Sequence, residues 1–170
     1  MSTLAIDVDL GRFTAVHSTA GVLAHGHPWD GPWPTGLGSF ATMYQTDVLL
    51  LEVAGPIMHH EESHSWRRWA IFNALWIGQL IGSLPESSSF SSGHNILVAT
   101  STAWTKGFGE KERHAIAGMN PLKFKTVKGK KVPIYAEAHD IRECRAMLYF
   151  HERDPKTWKT LDEYLKELVG

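Results

Sequence analysis

Four acidic residues stand where carboxylate chemistry would want them. Asp7 lies in the alternating run Leu4-Ala5-Ile6-Asp7-Val8-Asp9, and Glu52 closes the apolar run Val48-Leu49-Leu50-Leu51-Glu52-Val53. Asp140 and Glu143 are three apart in His139-Asp140-Ile141-Arg142-Glu143-Cys144. An ionised carboxylate on an otherwise apolar segment is costly to desolvate and needs a partner. Carboxylate oxygens suit Mg²⁺ and Mn²⁺, which keep waters and bridge to phosphate oxygens. Two strand carboxylates and a helical i, i+3 pair that converge on such ions would serve a metal-dependent phosphodiester enzyme.

Other chemistries have weaker support. His60 and His64 in His59-His60-Glu61-Glu62-Ser63-His64 have the i, i+4 spacing that zinc accepts. The His-Glu-x-x-His order of zinc proteases is missing and no third ligand is evident, so exposed loop histidines are the favoured reading. His139 beside Asp140 has the chemistry for proton transfer, and helix-surface decoration accounts for it equally well. The single cysteine, Cys144, sits in a helical pattern and reads as a small packed residue. No Ser–His–Asp arrangement, Gly-x-Ser-x-Gly or Walker phosphate loop is visible.

Charge is distributed unevenly. The 170-residue chain carries a formal net charge of −1. Residues 106–131 nevertheless hold Lys106, Lys111, Arg113, Lys123, Lys125, Lys128, Lys130 and Lys131 against Glu110 and Glu112, a local net of +6. A one-sided basic stretch on a near-neutral protein is the footprint of a polyanion site, with a solvated lysine loop as the alternative. With 43% hydrophobic residues the chain has material for one domain with a proper core. No run of about 18 apolar residues offers a membrane span, and no secretory pattern opens the sequence, so a cytoplasmic location is expected.

The elements that must position these residues follow from periodicity. Residues 3–9, 12–18 and 22–24 read as an antiparallel meander, with a turn at Gly21. Residues 26–38 read as loop, with Trp29 and Trp33 either a stacking platform for bases or a pinned turn. A short helix over 38–45 leads to a buried central strand, 47–53. A long helix over 63–82 carries Trp66, Trp69, Asn73, Trp76 and Leu80 on one stripe, with Ile77 and Ile81 beside it. It is apolar over more than one face, which suits either a second subunit or full burial. A buried strand over 95–100, a helix opening near Glu110 and a lysine-rich loop or β-ribbon over 121–133 follow. A helix over 137–151 carries the acidic pair. Residues after Asp154-Pro155 form an amphipathic C-terminal extension with Trp158, Leu161, Leu165 and Leu168 at helical spacing. The order βββαβαβα argues an α/β domain with a mixed sheet.

These residues resemble RuvC-type Holliday junction resolvases, of the ribonuclease H-like fold, over roughly 3–150. Ile6-Asp7 with Gly11-Arg12 is similar to the family's first strand, where Ile-Asp-Pro-Gly is usual; here Val8-Asp9-Leu10 intervenes. Leu51-Glu52-Val53 followed by Pro56-Ile57-Met58 and a long helix resembles its catalytic glutamate and apolar junction-probing loop. Ala103-Trp104-Thr105-Lys106-Gly107-Phe108-Gly109 with Lys111 resembles its lysine and glycine segment. His139-Asp140-Ile141-Arg142-Glu143 matches its closing acidic helix, which more often ends in Asp.

The resemblance implies a single ribonuclease H-like domain over 1–170, with a mixed sheet flanked by helices and 151–170 as an extension. It implies Asp7, Glu52, Asp140 and Glu143 as ligands of two Mg²⁺ ions about 4 Å apart, with Mn²⁺ as substitute and no organic cofactor. Lys106 or Lys111 would neutralise charge on the attacked phosphate. Arg113 and the lysines at 123, 125, 128, 130 and 131 would contact DNA phosphates, and Met58 would wedge into an opened crossover. The implied substrate is branched DNA and the implied assembly a homodimer through the 63–82 helix. A related nuclease acting on flaps or RNA, or a non-catalytic nucleic-acid-binding protein of the same fold, are the alternatives.

Overall fold

A computed structural model describes residues 1–28, 45–55, 64–83, 90 and 95–170. Residues 38–44 of the expected short helix over 38–45, Trp29, Trp33, the loop at Met58, and His59 and His60 lie outside the described residues, and Gln45 stands in a turn. The meander forms as β1 (Thr3–Asp9), β2 (Arg12–His17) and β3 (Gly21–Pro28). Then come β4 (Val48–Val53), α1 (His64–Ser83), β5 (Ile96–Thr100), a short α2 (Ser101–Thr105) and α3 (Glu110–Ile116). A hairpin of β6 (Lys123–Val127) and β7 (Lys130–Ile134) precedes α4 (His139–Arg153).

The chain ends in a 3₁₀ turn (Pro155–Thr157), β8 (Lys159–Thr160) and α5 (Leu161–Val169). This ending departs from the sequence expectation. The helical spacing that links Trp158 to Leu161 is coincidental, because Lys159 and Thr160 pair with Val98 and Leu97 as an edge strand. Thr160 then caps α5 in a reciprocal box with Glu163.

Six strands form one mixed sheet in the order β3-β2-β1-β4-β5-β8. The parallel pairs β1–β4 and β4–β5 occupy the centre, which explains the unbroken apolar runs of their sequences. Helices cover both faces. On one, Trp76, Ile77 and Leu80 of α1 and Leu161 of α5 pack on Leu4, Ile6, Leu49, Leu51, Ile96 and Val98. On the other, Cys144, Ala146, Met147 and Phe150 of α4 and Trp104 of α2 pack on Ala5, Leu50 and Ala99. Truncating one of the fully buried leucines, such as Leu50, would cost about 2–5 kcal/mol. The expected α/β architecture, a mixed sheet flanked by helices, is the one observed.

No described helix is long and apolar enough to cross a membrane. The long helix is buried along Ala70, Asn73, Trp76, Ile77 and Leu80, while Ile71 and Leu75 are more than half exposed. The stripe read from the sequence therefore faces the sheet, and a second, narrower apolar face looks outward.

Candidate active site

Strand alternation decides which way the two strand carboxylates point. Leu4 and Ile6 of β1 face α1, so Ala5 and Asp7 face α4; on β4, Leu49 and Leu51 face α1, so Leu50 and Glu52 face α4. The parallel ladder ends at Ile6↔Leu51, and Asp7 and Glu52 are the next residue on each strand. Both carboxylates thus leave adjacent strand ends towards the same helix.

α4 meets them with Asp140 and Glu143, one turn apart on one helix side. Cys144, one residue on, is fully buried beneath the site, and its Sγ donates to the carbonyl of Thr14 on β2 at 3.4 Å. Burial pushes its thiol well above the ordinary range, so it is a packing residue, as expected from the sequence.

Electrostatics bind the four acids into one group. Burial raises the Asp7 carboxyl well above its ordinary value, and repulsion from Glu52, Asp140, Glu143 and Asp9 raises it further. Glu52 is raised as well, first by burial and then by Glu143, with a hydrogen bond from Trp104 and the Arg113 charge acting against this. Asp9 is exposed, and its Oδ1 accepts from the Leu10 amide at 2.7 Å, the role of a turn residue at the strand end.

Glu143 behaves differently. Arg113 of α3 grips it with a fork, Nη2 to Oε1 at 2.5 Å and Nε to Oε2 at 3.1 Å. His114 Nε2 lies 2.8 Å from the same Oε1. Burial alone would raise this carboxyl, but the His114 and Arg113 hydrogen bonds and charges outweigh it and hold Glu143 below its ordinary value. The Arg142 guanidinium donates to His114 Nδ1 at 2.7 Å, which leaves Nε2 as the donor towards Glu143. Arg113 therefore serves as a counter-ion inside the acidic group and not, in this arrangement, as the free DNA contact expected from sequence.

Lys106, expected at the attacked phosphate, lies at the surface in a left-handed turn and pairs with Asp154 at 2.5 Å. Lys111 is exposed at the start of α3.

Three further residues position the site without having been singled out for it. Trp104 is fully buried, stacks on Trp158 with ring centroids 6.4 Å apart, and donates its Nε1 to Glu52 Oε2 at 2.7 Å. Asn73 of α1 donates to the Glu52 carbonyl at 2.9 Å and accepts from the Ala54 amide at 3.3 Å. Trp69 Nε1 donates to the Val8 carbonyl at 2.8 Å. α1 is thereby stitched to both strand ends that carry Asp7 and Glu52. The available signal was Asn73 itself, one polar residue on an otherwise apolar helix stripe, where an unbonded amide would cost about 1–3 kcal/mol.

The donor chemistry fits a hard divalent cation. The acids supply oxygen donors only, and Asp7 lies partly buried among like charges. Yet among the described residues no three acidic, histidine or cysteine side chains are arranged to close on an ion. Glu52 is turned to Trp104, and Glu143 is committed to Arg113 and His114. The expected ligands share one face of the sheet, but two of them are occupied by protein donors.

No family model matches the chain, and a search of curated proteins returned no match. Solved structures are more informative. A structure of Thermus thermophilus RuvC in complex with Holliday junction substrate superposes at a TM-score of 0.57 with 10% identity, over 95% of this chain and 100% of that one. The chain has a RuvC-like fold. A second Thermus thermophilus RuvC structure reaches 12% identity over the same shares at a TM-score of 0.46, too low to add to the argument. At these identities the likeness concerns the RuvC-like, ribonuclease H-like architecture and not residue roles.

Proposed function

We propose that this protein is a divalent-metal-dependent endonuclease that cuts four-way DNA junctions. The observation that carries the reading is that Asp7 and Glu52 leave adjacent strand ends towards the helix that carries Asp140 and Glu143, within a fold shared with a RuvC solved on a Holliday junction. Like-charged acids gathered at the ends of central strands are unfavourable unless a cation joins them.

Asp7, Glu52 and Asp140 would hold Mg²⁺ or Mn²⁺, and Glu143 would complete the set once Arg113 and His114 release it. Divalent ions bound there would supply Lewis acidity at the scissile phosphate and a lowered pKa for the attacking water. The chain's own residues set the geometry. Trp104 and Asn73 fix the side chain and backbone of Glu52, and Trp69 fixes the end of β1. Lys111 is exposed and, among the described residues, in no ion pair, so it can meet phosphate, and Lys106 would have to leave Asp154 to do so. The lysines at 123, 125, 128, 130 and 131 supply phosphate contacts that position the substrate without reading its sequence. Met58 is proposed as the apolar wedge at the crossover. Cutting two opposed strands calls for two sites, and the outward Ile71 and Leu75 of α1 are the proposed homodimer contact.

A second reading has one observation in its favour. The Arg113 fork neutralises Glu143 without any metal, as would suit a non-catalytic DNA-binding protein of the same fold. A panel of four-way junction, linear duplex, flap and RNA–DNA hybrid, each with Mg²⁺, Mn²⁺ or EDTA, separates the readings. Paired nicks confined to the junction support the proposal. Cutting of flaps or hybrids instead reassigns the substrate, and metal-independent binding without cutting supports the second reading.

A further inference from the structure

The β6–β7 hairpin is separate from the six-stranded sheet. Its two strands form a sheet of their own, in the register Lys123↔Ile134 to Val127↔Lys130. Every residue of β6 is exposed. The turn residues Lys128 and Gly129 both have positive φ, 47° and 76°, as a tight two-residue hairpin demands. An isolated two-stranded hairpin is at best marginally stable in water, so a ribbon held out in this way is suited to an external partner.

Its root is pinned beside the acidic group. The Leu122 amide donates to the Ile134 carbonyl at 2.7 Å. Tyr135, just after β7, lies under the Arg142 guanidinium at 3.6 Å, and Glu137 pairs with Arg145 at 2.6 Å. The hairpin therefore projects from the first turns of the helix that carries Asp140 and Glu143.

Alternation gives the ribbon two different faces. Lys123 and Lys125 of β6 and Lys130 of β7 share one, together with Val127, Val132 and Ile134, and the two β6 lysines stand about 7 Å apart along the strand. Phe124, Thr126, Lys131 and Pro133 share the other, which Leu122 continues, and Leu122 and Phe124 are 71% and 59% exposed. None of the five hairpin lysines forms an ion pair among the described residues, and no acidic residue lies between 123 and 134. Five unpaired cations on a ribbon of duplex-groove width complement a polyanion, and a two-stranded ribbon is an element that the major groove of B-DNA admits.

We propose that the β6–β7 hairpin is a duplex-binding ribbon that grips a double-stranded arm of the DNA away from the cleavage point, Lys123, Lys125 and Lys130 on phosphates and Leu122 and Phe124 against the groove wall. This deepens the nuclease reading and rests on its assumption of a DNA substrate. The hairpin sets how long an arm the protein needs, and the carboxylates set whether it cuts.

The test is fluorescence anisotropy in EDTA across a salt series. It uses the full chain, a junction with arms of about 20 base pairs, and the same junction with arms trimmed to about 6. On long arms the triple variant K123Q/K125Q/K130Q should lower the slope of log K against log salt by about 0.9 per lysine, or about 2.7 in all. On trimmed arms it should bind like wild type. Phe124→Ala should weaken long-arm binding at every salt concentration without changing the slope. An unchanged slope on long arms, or equal losses on long and trimmed arms, would overturn the proposal. The same junctions are incubated in parallel with wild type in Mg²⁺ and scored for nicks. A lowered slope in the triple variant with no nicking by wild type would leave the ribbon standing and refute the nuclease. Nicking by wild type with an unchanged slope in the triple variant would do the reverse.

Discussion

Removal of the Arg113 guanidinium, as in Arg113→Met, should expose what the acidic group does without its internal counter-ion. The Arg113 and Glu143 side chains are only 17% and 9% exposed. Glu143 would keep the His114 contact but lose both arms of the fork. Stripping one member from a buried pair leaves an uncompensated charge, at a cost of about 3–5 kcal/mol. For a chain of this length each kcal/mol moves the melting midpoint by about 2–4 °C, so the variant should melt about 6–20 °C lower. Adding Glu143→Gln removes the orphaned charge and should restore most of the loss. A saturating divalent ion should also recover part of it, about 2.7 kcal/mol at a hundred times Kd. Differential scanning fluorimetry on the four proteins of the cycle, with and without Mg²⁺, measures all of this. A single variant that melts within about 2 °C of wild type, or a Glu143→Gln change that gives no rescue, would refute the idea that Arg113 neutralises this carboxylate.

Other outcomes follow from the same geometry. Because the folded Asp7 pKa is raised, its ionisation weakens the fold as pH rises from the unfolded value, about 3.9, through the folded one. Asp7→Asn should therefore be more stable than wild type at neutral pH, by urea titration at pH 4 and 7, while losing any Mg²⁺-induced stabilisation and any cleavage. Glu143 is the opposite case: its lowered pKa contributes stability that is lost as pH falls below about 4.3 through the folded value, and Glu143→Gln should flatten that acid limb. Asn73→Ala leaves the Glu52 carbonyl and the Ala54 amide without their partner and should cost about 1–3 kcal/mol by chemical denaturation. Trp104→Phe keeps a ring in the Trp158 stack but removes the donor to Glu52, and should lower stability by about 1.5–3 kcal/mol at pH 7.

The alternating run of β1 and the unbroken apolar run of β4 made both strands legible, and the shared face of Asp7 and Glu52 became visible only with the ladder register. The i, i+3 spacing put Asp140 and Glu143 on one side of a helix from sequence alone. The identity of their partners was not legible. Arg113 looks like any other member of a basic stretch, and only the packing of α3 on α4 turns its guanidinium inward. Trp104 reads as a core aromatic, and its hydrogen bond to Glu52 depends on a side-chain orientation that spacing does not encode. Trp158 illustrates the opposite error. Its spacing to Leu161 and Leu165 fits a helix, but the edge pairing of Lys159 and Thr160 with β5 overrides it. The ribbon over 121–133 was legible as a loop or hairpin, and its isolation from the core became visible only with the pairing register.

The most direct test of the carboxylate group as a nuclease centre is strand-resolved cleavage of a four-way junction labelled on two opposed strands. Wild type and Asp7→Asn are compared in Mg²⁺ and in EDTA. Paired nicks from wild type in Mg²⁺, absent in EDTA and absent from Asp7→Asn in both, are the predicted result. Cleavage that survives in Asp7→Asn or in EDTA, or junction binding by wild type without a nick in Mg²⁺ or Mn²⁺, would contradict it.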